Sequence, residues 1–162
     1  MSKYAAILGA ILVATSGAAM HAAFAQSTPR PVQPADAGHD VLLAAATAPL
    51  AEAFGDAATV DVERLDRIGD WAFLLGTMRG AGGGALPVEG TRYEERRASG
   101  SMSDVYVALL KREPTGAPAP DGGGADTADG QWVLLEHAIG PGDVAWLAWP
   151  ERHAAPRALF GF

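Results

Sequence analysis

Cysteine is absent from this chain of 162 residues. That excludes disulfides, thiolate metal ligands, a thiol nucleophile and anchoring through an acylated cysteine. Positive charge is scarce as well: twelve Lys and Arg stand against nineteen Asp and Glu, a formal charge of −7. An acidic chain repels phosphate backbones, and its densest basic cluster, Arg92 with Arg96 and Arg97, is interleaved with Glu94 and Glu95. Nucleic acid is therefore excluded as a partner. Aromatic residues make up only 7 % of the chain, so the four tryptophans, Trp71, Trp132, Trp146 and Trp149, dominate whatever core or recognition surface exists.

One apolar run stands out, and it lies at the start. Lys3 is followed by Tyr4 to Met20, nearly all Ala, Ile, Leu, Val and Gly, and Ala23-Phe24-Ala25 is the small-x-small pattern of a signal-peptidase site. Thr15, Ser16 and Gly17 weaken the run before it reaches the roughly 20 residues of a spanning helix. Residues 1–25 are thus expected to be a cleaved signal peptide, with the cut between Ala25 and Gln26. No twin-arginine pair is present, so the expected route is Sec-type export of a periplasmic or secreted bacterial protein, with no membrane segment after cleavage. Removing Lys3 makes the exported chain one unit more acidic.

Residues 26–37, rich in Pro and small polar residues, predict a disordered or extended leader, and residues 38–162 a single α+β domain. Val41, Leu42, Ala45, Leu50 and Phe54 fall near helical spacing and Gly55 supplies a stop; Pro49 inside the run predicts a kink, or two short helices meeting near Thr47. Val60 to Ile68 alternates as a strand whose period is disturbed near Arg64-Leu65, as a bulge would do. Gly69-Asp70 is a turn pair, and Trp71 to Gly76 is apolar on both faces, which predicts a hairpin ending in a central strand. Val105 to Leu110 and Trp132 to Ile139 are further strands, joined by an aperiodic loop over 114–130. Asp143 is placed to cap a final helix that Pro150 stops. The chain ends in Phe, as small outer-membrane barrels often do, but four or five strands fall short of the eight such a barrel needs.

Chemical motifs are few. Gly80-Ala81-Gly82-Gly83-Gly84-Ala85 matches a dinucleotide fingerprint formally, yet Leu86-Pro87 follows where the phosphate-binding helix should start. Asp121, Asp126 and Asp129-Gly130 lack calcium-loop spacing and a closing Glu. His39, His137 and His153 show no ligand spacing, and Ser99, Ser101 and Ser103 no nucleophile elbow. The expectation is no catalytic residue, no metal and no cofactor. His137 is the titratable residue to single out. Strand alternation puts it with Val133, Leu135 and Ile139, where an imidazole is either a satisfied core group or the polar element of a pocket. Trp146 and Trp149, three residues apart, share a helix face that either fills a core or presents a ligand surface. His137, Trp146 and Trp149 are accordingly the candidate ligand-binding residues.

The order of elements resembles cystatin-like and NTF2-like α+β folds. LLKRE at 109–113 and DGQWVLLEHAIG at 129–140 resemble the strand pair of SnoaL-type NTF2-like proteins, whose second strand often ends in a His, here His137; GDWAFLLGTMR at 69–79 is similar to their earlier strand. The resemblance implies a helix on an antiparallel sheet and a cavity lined by His137. The whole reading predicts a kinked N-terminal helix packed on a four- to five-stranded antiparallel meander, with a short C-terminal helix. Function is expected to be noncatalytic binding of a protein or small-molecule ligand; the alternative is a small NTF2-like pocket enzyme or ligand carrier.

Overall fold

Doubly apolar strands belong at the centre of a sheet, because neither face can be left in water. The computed structural model, which describes residues 28–114 and 130–162, places both such strands there. Five antiparallel strands run in chain order across one sheet: β1 (Arg30–Pro31), β2 (Ala58–Ile68), β3 (Trp71–Gly80), β4 (Val105–Pro114) and β5 (Gly130–Ile139). The helices are α1 (His39–Phe54), α2 (Glu94–Ala98) and α3 (Trp149–His153), with 3-10 turns at Gly55–Ala57, Ala145–Ala148 and Arg157–Phe160. The α+β class and the antiparallel meander agree with the sequence. Residues of the expected signal peptide and of the 114–130 loop, apart from its two ends, lie outside the described residues.

The sheet carries a core on each face. On one face α1 and the β3–β4 connection bury Leu65, Ala72, Leu74, Met78, Tyr106, Ala108 and Leu110. On the other, the C-terminal segment covers Phe73, Val107 and Leu109 with Trp149, Leu159 and Phe160. Arg64 fixes that segment to β2: it donates to Asp66 Oδ2 at 2.7 and 3.0 Å and to the carbonyls of Leu159 and Phe160 at 3.2 and 3.3 Å. The buried Asp66 carboxylate thus keeps a charged partner, as burial demands.

Two bulges set which residues face which core. In β2, Val62 pairs with Gly76 and Arg64 with Leu75, so Glu63 is the extra residue near the expected position. Without it, period-two alternation would turn Leu65 away from α1. In β5, Leu109 pairs with Glu136 and Leu110 with Leu134, leaving Leu135 extra. This corrects the expected facing of His137. Opposite Ala108, it shares the α1 face with Trp132, Leu134 and Ile139, while Leu135 packs on the other side.

Three further expectations change. α1 is one helix running through Pro49, so the expected kink is not supported and the two-helix alternative is excluded. Its buried stripe is Leu42, Ala46, Pro49 and Leu50, with the proline ring itself in the packed face, whereas Val41 is 65 % exposed. Within the stretch expected as a disordered or extended leader, Arg30 and Pro31 pair with Arg67 and Asp66, and Val32 N–H donates to Leu65 O at 2.7 Å, so this part of it is extended and tied to the sheet. The last helix is shifted. Pro150 occupies the first turn of α3 instead of ending a helix, a position where its missing N–H costs nothing, and Asp143 makes no side-chain cap.

Candidate functional site

The three residues singled out in the sequence do not form one site. His137 stands partly exposed on the α1 face, whereas Trp146 and Trp149 belong to the C-terminal segment and pack on the opposite face, with the sheet between them. Trp149 is 1 % exposed and meets Phe73 edge-on at 6.4 Å; Trp146 is half-buried, 6.3 Å from the same ring. Trp149 is therefore a core residue whose ring no ligand reaches in this conformation.

The pKa of His137 lies below the ordinary imidazole value, first through partial burial and then through the Arg92 guanidinium, with Glu52 and Glu136 opposing. Glu52, Ala53, Gly90, Thr91, Arg92 and Tyr93 line a neighbouring recess of about 380 Å³. Beneath α1, however, the sheet is filled by side chains: Tyr106 is wholly buried and donates its hydroxyl to Ala46 O at 2.6 Å. Burial raises the Tyr106 pKa above the ordinary phenol range. On the far face His153 Nε2 lies 2.6 Å from Glu136 Oε2, and Arg152 bonds the other carboxylate oxygen, so this cluster ties α3 to β5. Among the described residues no group of three or more His, Asp or Glu is placed to hold a metal ion, and no helix is long and apolar enough to cross a membrane.

Positive charge gathers elsewhere, in residues that the sequence leaves scattered. Arg30 is directly opposite Arg67 across β1 and β2, Arg67 opposite Ala72 on β3, and Ala72 opposite Leu110 on β4, two residues from Arg112. Side chains two apart share a face, so all three guanidiniums stand on the α1 side at one end of the sheet. They line a cleft of about 130 Å³ with Val32, Asp36, Val41, Leu42 and Trp132, closed by Ala37 and Gly38 at the start of α1. Among the described residues Asp36 is the one carboxylate in that lining.

Each arginine is held differently. Arg112 donates to Asp70 Oδ1 at 2.9 and 3.1 Å, and its guanidinium lies 5.7 Å from the Trp132 ring centre. It is preorganised by an ion pair on one side and an aromatic face on the other. Arg30 pairs loosely with Asp36 at 3.7 Å, and its side chain is 64 % exposed. The pairing is weak because water screens it. Arg67 is half-buried between them. Sequence reading missed the cleft because Arg30 falls in a stretch read as leader, and only strand register brings it beside Arg67 and Arg112. Comparison of the chain with protein-family models, with curated proteins and with solved structures finds no match.

Proposed function

We propose that this chain is a noncatalytic binding module exported to the bacterial envelope, and that it engages its partner through the Arg30–Arg67–Arg112 cleft. The observation carrying this reading is the convergence of three guanidiniums from three strands on one cleft of an acidic protein, with Asp36 as the one carboxylate among the described lining residues. Most other described ion pairs close locally on a strand pair or loop, as Asp61 with Arg79 and Arg97 with Asp104 do. Export is supported by Lys3, the apolar run from Tyr4 to Met20 and Ala23-Phe24-Ala25. The exported species should begin at Gln26, and an intact Met1 terminus in the membrane fraction would reverse that part of the reading.

The binding test immobilises the exported chain and passes envelope extract over it, beside the Arg30→Gln variant. The Arg30 side chain is exposed and its pairing with Asp36 is loose, so the variant should melt like the parent. A partner held saturably by the parent and released by the variant supports the cleft. A partner held equally by both places recognition on another surface.

The second reading keeps the NTF2-like resemblance and makes the chain a small pocket enzyme or ligand carrier. What favours it is the recess beside Glu52 and Arg92, the two groups whose charges act most directly on His137 from outside its own strand. A small-molecule thermal-shift screen separates the two. Ligands that raise the melting temperature of the parent but not of His137→Gln support the pocket; their absence, with Arg30-dependent partner capture, supports the module.

A further inference from the structure

We infer that the arginine cleft takes a peptide carboxylate carried beside an aliphatic side chain. The inference rests on the cleft being the recognition site and names what it recognises. Three features of the lining select this ligand. The first is the planar guanidinium fork, which matches the two oxygens of a carboxylate in a bidentate pair. Arg112 is already oriented for this by Asp70 and Trp132, and Arg30 can leave its loose contact with Asp36 without opening a buried pair.

The second feature is the apolar wall. Val32, Val41, Leu42 and Trp132 stand beside the charges, and Val41, on the exposed flank of α1, is 65 % open to solvent. A valine left that open beside converging arginines gains by being covered, which a bare inorganic anion cannot do. The third is size together with sign. About 130 Å³ is well below the roughly 300–1,000 Å³ of sites that enclose a whole small-molecule ligand, so the cleft holds one terminal group of something larger. Asp36 inside the lining repels a dianion more strongly than a monoanion, which favours carboxylate over phosphate. The carboxylate can come from a chain terminus or from an acidic side chain, and the two sources are separable by probe.

Fluorescence anisotropy of the exported chain tests this with a labelled glycine–serine hexapeptide ending in leucine with a free carboxylate. Two companions complete the set: the same peptide amidated, and the amidated peptide carrying aspartate before the leucine. The acid peptide should bind saturably, weaken about tenfold on amidation and about tenfold with Arg30→Gln. Val41→Ser should weaken it severalfold, and both variants should melt like the parent. Binding should fall as NaCl rises from about 0.1 to about 0.5 M. Recovery of affinity in the aspartate amide assigns the side-chain source, and no recovery assigns the terminus; either outcome supports a carboxylate. Equal binding of acid and amide overturns the inference, as does inorganic phosphate competing at or below the concentration of peptide needed. If no peptide binds while capture from extract still depends on Arg30, the cleft remains the recognition site and the carboxylate assignment falls.

Discussion

At Trp149 the indole lies edge-on to Phe73 with 1 % of its surface in water, beneath a segment that also buries Leu159 and Phe160. Trp71 and Trp132 are only half-buried, each with a cation over its ring: Lys111 at 4.9 Å and Arg112 at 5.7 Å. Trp149→Ala should therefore cost about 3–5 kcal/mol, the range for truncating an aromatic in a packed core, and Trp71→Ala or Trp132→Ala clearly less. Urea denaturation of the three variants checks the order, and an equal or smaller loss at Trp149 contradicts it. Sequence alone points the other way, because doubly apolar strands mark Trp71 and Trp132 as core and Pro150 looks like a helix stop that leaves Trp149 at a frayed end. His137 gives a second expectation at this scale. Partial burial and Arg92 lower its pKa in the folded chain below its unfolded value, so the unfolded chain binds the extra proton first as pH falls. Stability should rise with pH across the window just below the ordinary imidazole value of about 6.5, and be lost as pH falls through it. His137→Gln should flatten that slope, and Arg92→Gln should bring the imidazole back up in an NMR titration. An unshifted His137 resonance in the parent would contradict the assignment.

Among the elements, the strands were the most legible, because alternation and double-sided hydrophobicity are local properties of β2, β3 and β4. The facing of β5 was not, since a bulge at Leu135 reverses the alternation and no residue type there announces it. The connection from β3 to β4 was missed for a different reason. Its apolar residues, Leu86, Val88, Tyr93 and Met102, have no period, yet all four are buried in the α1-side core. Arg96 fastens this connection to the end of β5 by donating to Gly140 O at 2.7 Å and, more weakly, to Ile139 O at 3.4 Å. Gly140 itself sits at φ +57°, where a Cβ would stand 2.8 Å from Ser103 O and collide with the Met102 side chain. Gly140→Ala combines left-handed strain with overpacking and should cost at least about 2 kcal/mol. Thermal melts of Gly140→Ala beside Gly82→Ala check this: Gly82 meets nothing within 4 Å and has no positive φ, so its substitution should leave the melting temperature nearly unchanged. Similar losses at both positions would mean that β5 does not close against this connection. The arginine cleft belongs to the same lesson. Arg30, Arg67 and Arg112 are spread along the sequence, and the register of β1 against β2 and of β2 through β4 creates the cluster.

For the whole molecule, the decisive property is that the centre of the sheet is covered on both faces. A helix on one side of a meander leaves the other side for solvent, and the sequence of β3 and β4 forbids that: Phe73, Val107 and Leu109 point away from α1 and are wholly buried. The C-terminal segment is the cover, and it is held at both ends. Glu136 on β5 binds Arg152 and His153 of α3, and Arg64 on β2 binds the carbonyls of Leu159 and Phe160, so the segment spans the sheet from its last strand to its second. A chain ending at Gly142 loses Trp149, Leu159 and Phe160 together and opens a contiguous apolar face of the kind soluble proteins rarely expose. It should keep far-UV signal from α1 and the sheet but lose near-UV signal, bind ANS and unfold without a cooperative transition, the signature of lost side-chain packing. Removing only Gly161 and Phe162 should do far less, because both are exposed and the Phe162 ring is held at the surface by stacking on Phe160 at 5.9 Å and by the Arg157 guanidinium at 5.7 Å. If the chain ending at Gly142 instead melts cooperatively near the parent, α1 and the sheet form a sufficient core alone. The C-terminal segment would then be a detachable cover over Phe73, Val107 and Leu109, and the second face of the sheet, with Trp146 at its margin, would become the surface to probe for partners.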